Sequence, residues 1–120
     1  MIETLNNLMP NIDLYLSQLS LFIGQFNDLV VSNDINVITD SSGNISIDVP
    51  KSMTEEHQIK LARKVGIIDR LISERSSNLD VLFKEGLELE KNIKKNDVQY
   101  TSVIAEKARA FSELKNKYKH

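Results

Sequence analysis

The chain has 120 residues, room for one small domain or one extended coiled-coil unit but not for a large independent core. It contains no Cys and no Trp, which excludes a disulfide framework and a thiolate metal site. The net charge of −2 conceals an asymmetry, because residues 1–50 carry −6 with no Lys or Arg while residues 51–120 carry +4. Complementary halves of this kind read either as electrostatic pairing, within the chain or between subunits, or as drift in the charge of solvated faces.

The first predicted element is a helix over 3–31. Leu5, Leu8, Ile12, Tyr15, Leu19, Phe22, Phe26 and Leu29 alternate at spacings of 3 and 4, an a/d heptad seam. Leu16, Ile23 and Val30 widen the stripe, as in a bundle helix. Pro10 lies inside the pattern, so the helix is expected to start near it or to kink there. The apolar stretch from Leu14 to Val31 is interrupted by Gln18, Gln25, Asn27 and Asp28, which argues against a membrane span. Without bases before Lys51 there is no basic n-region of a secretory signal, and an intracellular location, cytoplasm or nucleus, is expected.

Residues 32–51 change character. Ile35, Val37 and Thr39 alternate with polar residues, as do Ile45, Ile47 and Val49, around Asp40-Ser41-Ser42-Gly43-Asn44. This reads as a β-hairpin with its Ile/Val face leaning on the helices, or else as a flexible loop. Asn44-Ile45-Ser46 matches the N-glycosylation triplet, a match expected to be accidental because no secretory signal is expected.

Residues 52–120 hold no proline and read as a long helical segment. Ser52 and Glu55 fit a capping box. The seam runs through Leu61, Val65, Ile68, Ile72, Arg75, Leu79, Leu82, Gly86, Leu89, Ile93, Asn96, Tyr100 and Val103, then slips to Ile104, Phe111, Leu114 and Tyr118. Two places could break the helix, Ser76-Ser77-Asn78 and the neighbourhood of 95–97. Arg75 and Asn96 are polar on the seam and are expected to mark bends with side chains in water, or to fix register. Gly66 and Gly86 are candidates for close helix approach. Unbroken to Tyr118, this helix would be roughly 95 Å long against about 30–40 Å for the first. Either the chain folds back on itself or other chains cover the seam. The expected fold is therefore mainly α: a helical hairpin or three-helix coiled-coil bundle, one domain, with a short β-hairpin between the first and second helices.

Chemistry is sparse. His57 and His120 are the only histidines, the acids stand singly beside bases, and the four glycines are dispersed. No catalytic residue, cofactor site, metal site or small-molecule substrate is expected. The C-terminal bases alternate with acids and lack an aromatic platform, which argues against nucleic acid. The remaining reading is a non-catalytic helical subunit of an intracellular complex, packing its seams against helical partners or itself. Its interface residues would be Leu5, Leu8, Ile12, Leu19, Phe22, Phe26, Leu61, Val65, Ile68, Ile72, Leu79, Leu82, Leu89 and Ile93. Alternatives are a small chaperone or adaptor masking an amphipathic helix of a client, and a self-associating homo-oligomer.

Met1, Leu5 and Leu8 opening into an amphipathic helix, a loop, and then Leu61-Ala62-Arg63 and Ile68-Asp69-Arg70-Leu71-Ile72, resemble the small helical subunits of the Mediator transcription complex, its subunit 21 family in particular. The resemblance covers about half the chain and implies a short helix, a loop and a long coiled-coil helix within a multiprotein assembly. The family usually has Leu-Pro soon after the Leu-Ile pair, where this chain has Ser73-Glu74-Arg75.

Overall fold

The computed structural model describes residues 2–42 and 45–118. Gly43 and Asn44, with the glycosylation triplet's acceptor, lie outside the described residues, as do Met1, Lys119 and His120. The element order is α1 (Ile2–Ser32), β1 (Asn36–Thr39), β2 (Ile45–Asp48), α2 (Glu55–Asn96) and α3 (Ile104–Lys117). The mainly helical fold with an interposed hairpin is the one the sequence leads one to expect.

α1 does not begin at Pro10 but runs through it from Ile2. A mid-helix proline costs about 3 kcal/mol. Leu5 is buried and Leu8 and Met9 pack on the core, each worth roughly 1.5–3 kcal/mol when fully buried, so this first stretch outweighs the cost. Pro10 and Asn6 are both exposed, so the carbonyl that the proline leaves unbonded can meet water. At its other end α1 closes in a Schellman turn: Ile35 N–H donates to the Val30 carbonyl at 3.0 Å and Asp34 N–H to that of Val31 at 3.4 Å. Asp34 takes the left-handed position, with φ of 55°.

The hairpin pairs β1 and β2 antiparallel, with Val37 opposite Ile47 and Thr39 opposite Ile45. Ile35 is buried, and Val37, Ile45, Ile47 and Val49 pack on the core, while Asn36, Ile38, Ser46 and Asp48 face water. The period-2 pattern thus sets which face leans on the helices.

α2 is a single 42-residue helix. At ~1.5 Å per residue its length matches the molecule's 63 Å long axis. Its N-cap is Thr54, not Ser52: the Thr54 hydroxyl accepts from His57 N–H at 3.2 Å. This register puts Glu55 and Glu56 in the first turn, where the helix dipole favours them. Ser76-Ser77-Asn78 does not break the helix. Each such residue costs at most about 0.7 kcal/mol relative to Ala, whereas Ile72, Leu79 and Phe83 are buried on either side. The break comes at Asp97, which caps α2 through its own N–H to the Ile93 carbonyl.

The chain then reverses, and α3 packs alongside both longer helices. Phe111 stacks on Phe83, with ring centroids 5.4 Å apart, and Tyr118 meets Phe26 edge-on at 4.6 Å. Lys107 bonds Asp13 at 2.6 Å, an ion pair joining the basic half to the acidic half. Asn27 Nδ2 donates to the Lys117 carbonyl at 2.7 Å, and the Tyr118 hydroxyl donates to Asp69.

The α2–α3 corner is organised by Glu90, which is buried at 5% exposure. Its carboxylate accepts from the Tyr100 hydroxyl at 2.7 Å, the Ser102 hydroxyl at 2.6 Å, Val103 N–H at 2.9 Å and, more weakly, Ile104 N–H at 3.4 Å. α3 has no side-chain cap from its own N-cap residue, Val103. Glu90 reaches across from α2 and satisfies the first amides instead. Burial alone would raise its pKa, but the bonds from Ser102, Tyr100 and the two backbone amides together hold it below the usual carboxylate value. Burial, with the neighbouring Glu90 charge, pushes the Tyr100 hydroxyl up to about 12.

Gly86 lies against this corner. A Cβ built there would sit 3.0 Å from Ile104 Cδ1, so the glycine permits close approach. Gly66 meets nothing within 4 Å and has no such role.

A candidate helix-docking face

The antiparallel α1/α2 pair has two long sides, and α3 covers one of them. On that side lie Asp13 and Asn27 of α1 and Asp69, Phe83, Gly86 and Glu90 of α2. Among the described residues no helix covers the other side, which is the candidate site.

The expected interface residues divide accordingly. Leu5, Ile12, Leu19, Phe26, Leu61, Val65, Ile72, Leu79 and Ile93 are buried in the chain's own core. They hold α1, α2 and the hairpin together and present no outward surface. Leu8, Phe22, Ile68 and Leu82 are half-buried and pack on that core from the open side. Leu89 is half-buried at the rim of a shallow depression shared with Val81, Lys84, Glu85 and Glu88. A second depression spans the two helices between Gln25, Asp28, Leu29, Lys64 and Ile68. The a positions of the heptads are thus spent internally, while the d positions, apart from the buried Leu61, form the floor of an open groove.

Arg75 stands midway along this groove. Its Nε donates to Gln18 Oε1 at 2.6 Å, and its guanidinium lies 5.6 Å from the centroid of the Tyr15 ring. It therefore neither bends the helix nor hangs in water; Gln18 and Tyr15 hold it in the face. Asn96, the other polar seam residue, is the exposed last residue of α2. The flanking charges are Lys60 and Lys64 towards the start of α2 and, towards its end, Glu85 and Glu88, with Lys84 between Val81 and Glu85. Lys60 bonds Glu56 at 3.2 Å within the helix, an exposed pair that contributes little.

No protein-family model, curated protein or solved structure matches this chain. Among the described residues no group of three His, Cys, Asp or Glu could hold a metal ion. Of these residues, no helix is long and apolar enough to cross a membrane. His57 lies exposed on the first turn of α2.

The sequence missed two features of the site. The first was which seam residues face outward, since heptad spacing marks apolar positions without saying which side a third helix takes. The second was the inward turn of Phe83 and Glu90, each one residue past a seam position, produced by α3 packing on that flank.

Proposed function

We propose that this protein is a non-catalytic interaction module that packs the open α1/α2 face against a partner helix. The observation that supports it is the half-buried row of Leu8, Phe22, Ile68, Leu82 and Leu89 on the side away from α3. A fourth helix laid in that groove removes this apolar surface from water, at about 25 cal/mol per Å². Shoulder residues add to it: Leu14, Leu21, Ile67 and Val81 are 51%, 58%, 55% and 65% exposed, and a stripe this extended marks an interaction surface. On this reading the protein works as a subunit of a larger intracellular assembly, the kind of role that the Mediator-like pattern implies.

The test is the native mass of the complex that the chain forms in cells that make it. Leu82→Asp with Leu89→Asp is expected to dissolve that complex while the helical circular dichroism persists. Val81→Glu, at a residue outside the core, is expected to weaken it at least tenfold with no change in melting temperature. A native mass that none of these substitutions changes overturns the docking-face reading.

A further inference from the structure

We infer that the occupant of the open face is a second copy of this chain, docked antiparallel about a two-fold axis that crosses α1 and α2 at the level of Gln18 and Arg75. This rests on the docking-face reading and names its partner.

The argument is positional symmetry. On α1 the exposed Leu14 and Leu21 flank the Ser17–Gln18 peptide at equal distances. On α2 the exposed Ile67 and Val81 flank Glu74 at equal distances. Two oppositely charged pairs follow the same centre: Lys60 and Glu88 are equidistant from Glu74, and Lys64 and Glu85 from the Glu74–Arg75 peptide, while Lys84, beside Glu85, offsets part of the acidic charge at that end. The two centres are not independent in space. The 2.6 Å bond from Arg75 to Gln18 places both at one level of the helix pair. One two-fold axis can therefore serve both helices.

Rotation about that axis lays Leu14 over Leu21 of the second copy and Ile67 over Val81 of the second copy. It faces Lys64 with Glu85, and Lys60 with Glu88, and by symmetry each pairing occurs twice. At the centre each Arg75 lies beside Glu74 of the other chain. Arg75 donates its Nε to Gln18 and lies 5.6 Å from the Tyr15 ring centroid, and in the dimer its two Nη groups would donate to the incoming carboxylate. The reverse arrangement, with the two chains parallel and the two-fold along the helices, would lay α2 over α1 of the second copy and lose the Lys64–Glu85 and Lys60–Glu88 pairings. The charges along α2 thus favour the antiparallel dimer through pairings that only it makes. α3 and its contacts lie on the opposite side and leave the approach clear.

The test uses the whole chain in purified form. Light scattering and sedimentation equilibrium are expected to give twice the 13.7 kDa chain mass. Lys64→Glu alone, and Glu85→Lys alone, each set like charges against each other twice and are expected to raise the dimer dissociation constant on the order of tenfold or more. Mixing the two single variants is expected to restore a dimer, now a heterodimer, since the introduced glutamate of one chain then faces the introduced lysine of the other. The double variant is expected to self-associate again. Both exchanged positions are solvent-exposed, so circular dichroism is expected to stay unchanged. A wild-type chain that stays monomeric at its highest soluble concentration overturns the proposal, and so do single variants that associate as tightly as wild type. If the lone chain is monomeric but Leu82→Asp with Leu89→Asp still dissolves its native complex, the docking face stands and the second copy is not its occupant.

Discussion

Glu90 shows how one side chain can set a corner. Four donors converge on its carboxylate, and leaving such donors unsatisfied costs about 1–3 kcal/mol. Glu90→Gln is expected to destabilise the chain by about that much at pH 7, measured by urea unfolding. The pH dependence has a definite sign. The folded-state pKa lies below the ordinary 4.5, so the stabilisation is complete above that value and is lost as pH falls through the lower folded-state value. The gap between wild type and Glu90→Gln should therefore narrow below pH 4.5; a gap constant down to strong acid would show that the carboxylate charge plays no part. Tyr100 works from the alkaline side. Its pKa is raised from 10.0 to about 12, so its contribution is intact below 10 and fades above it. None of this was legible in the sequence, where an acid one residue past an apolar seam position reads as solvated. Its burial is decided by where α3 lands. Asp34 was equally silent, since Gly or Asn is the usual occupant of its left-handed position.

At the scale of elements, the heptad seams and the alternating hairpin strands were legible because each pattern is local. Which weak points would yield was not legible, because that is a balance between local cost and burial. Pro10 and Ser76-Ser77-Asn78 are overridden by apolar neighbours, whereas Asn96-Asp97 ends α2, beyond Ile93, the last buried residue of that helix. The α2–α3 contact at Gly86 gives an element-scale prediction. Alanine normally stabilises a helix interior by about 1 kcal/mol over glycine. At Gly86 its methyl would press on Ile104, which is fully buried and has little room to move. Gly86→Ala is expected to destabilise by about 1–2 kcal/mol, and Ile104→Val, which removes Cδ1, should recover part of that loss in the double variant. Gly66→Ala, in open space, should instead stabilise, and thermal melts of the variants distinguish these outcomes.

At the scale of the molecule, the unequal helix lengths pointed to fold-back or to coverage by other chains, and the chain does fold back at 97–103. The 14-residue α3 covers only part of the 42-residue α2, so fold-back and an uncovered stripe coexist. The heptads identified the apolar positions of the candidate site. Only the placement of α3 separated internal ones, such as Leu19 and Leu79, from those left on the open side, such as Phe22 and Leu82. The partial reach of α3 also has a consequence in time. Its contacts run from Glu90 and Asp13 to Asp69 and Asn27, so the molecule is three helices thick only along its middle. Beyond that stretch, at the end formed by Leu5 and Ile93, two helices shield each other, and Pro10 has removed a backbone bond from α1. Amide hydrogens there should exchange with solvent deuterium faster than those near Leu19 and Leu79. The slowest-opening unit would then be a central block rather than any whole helix.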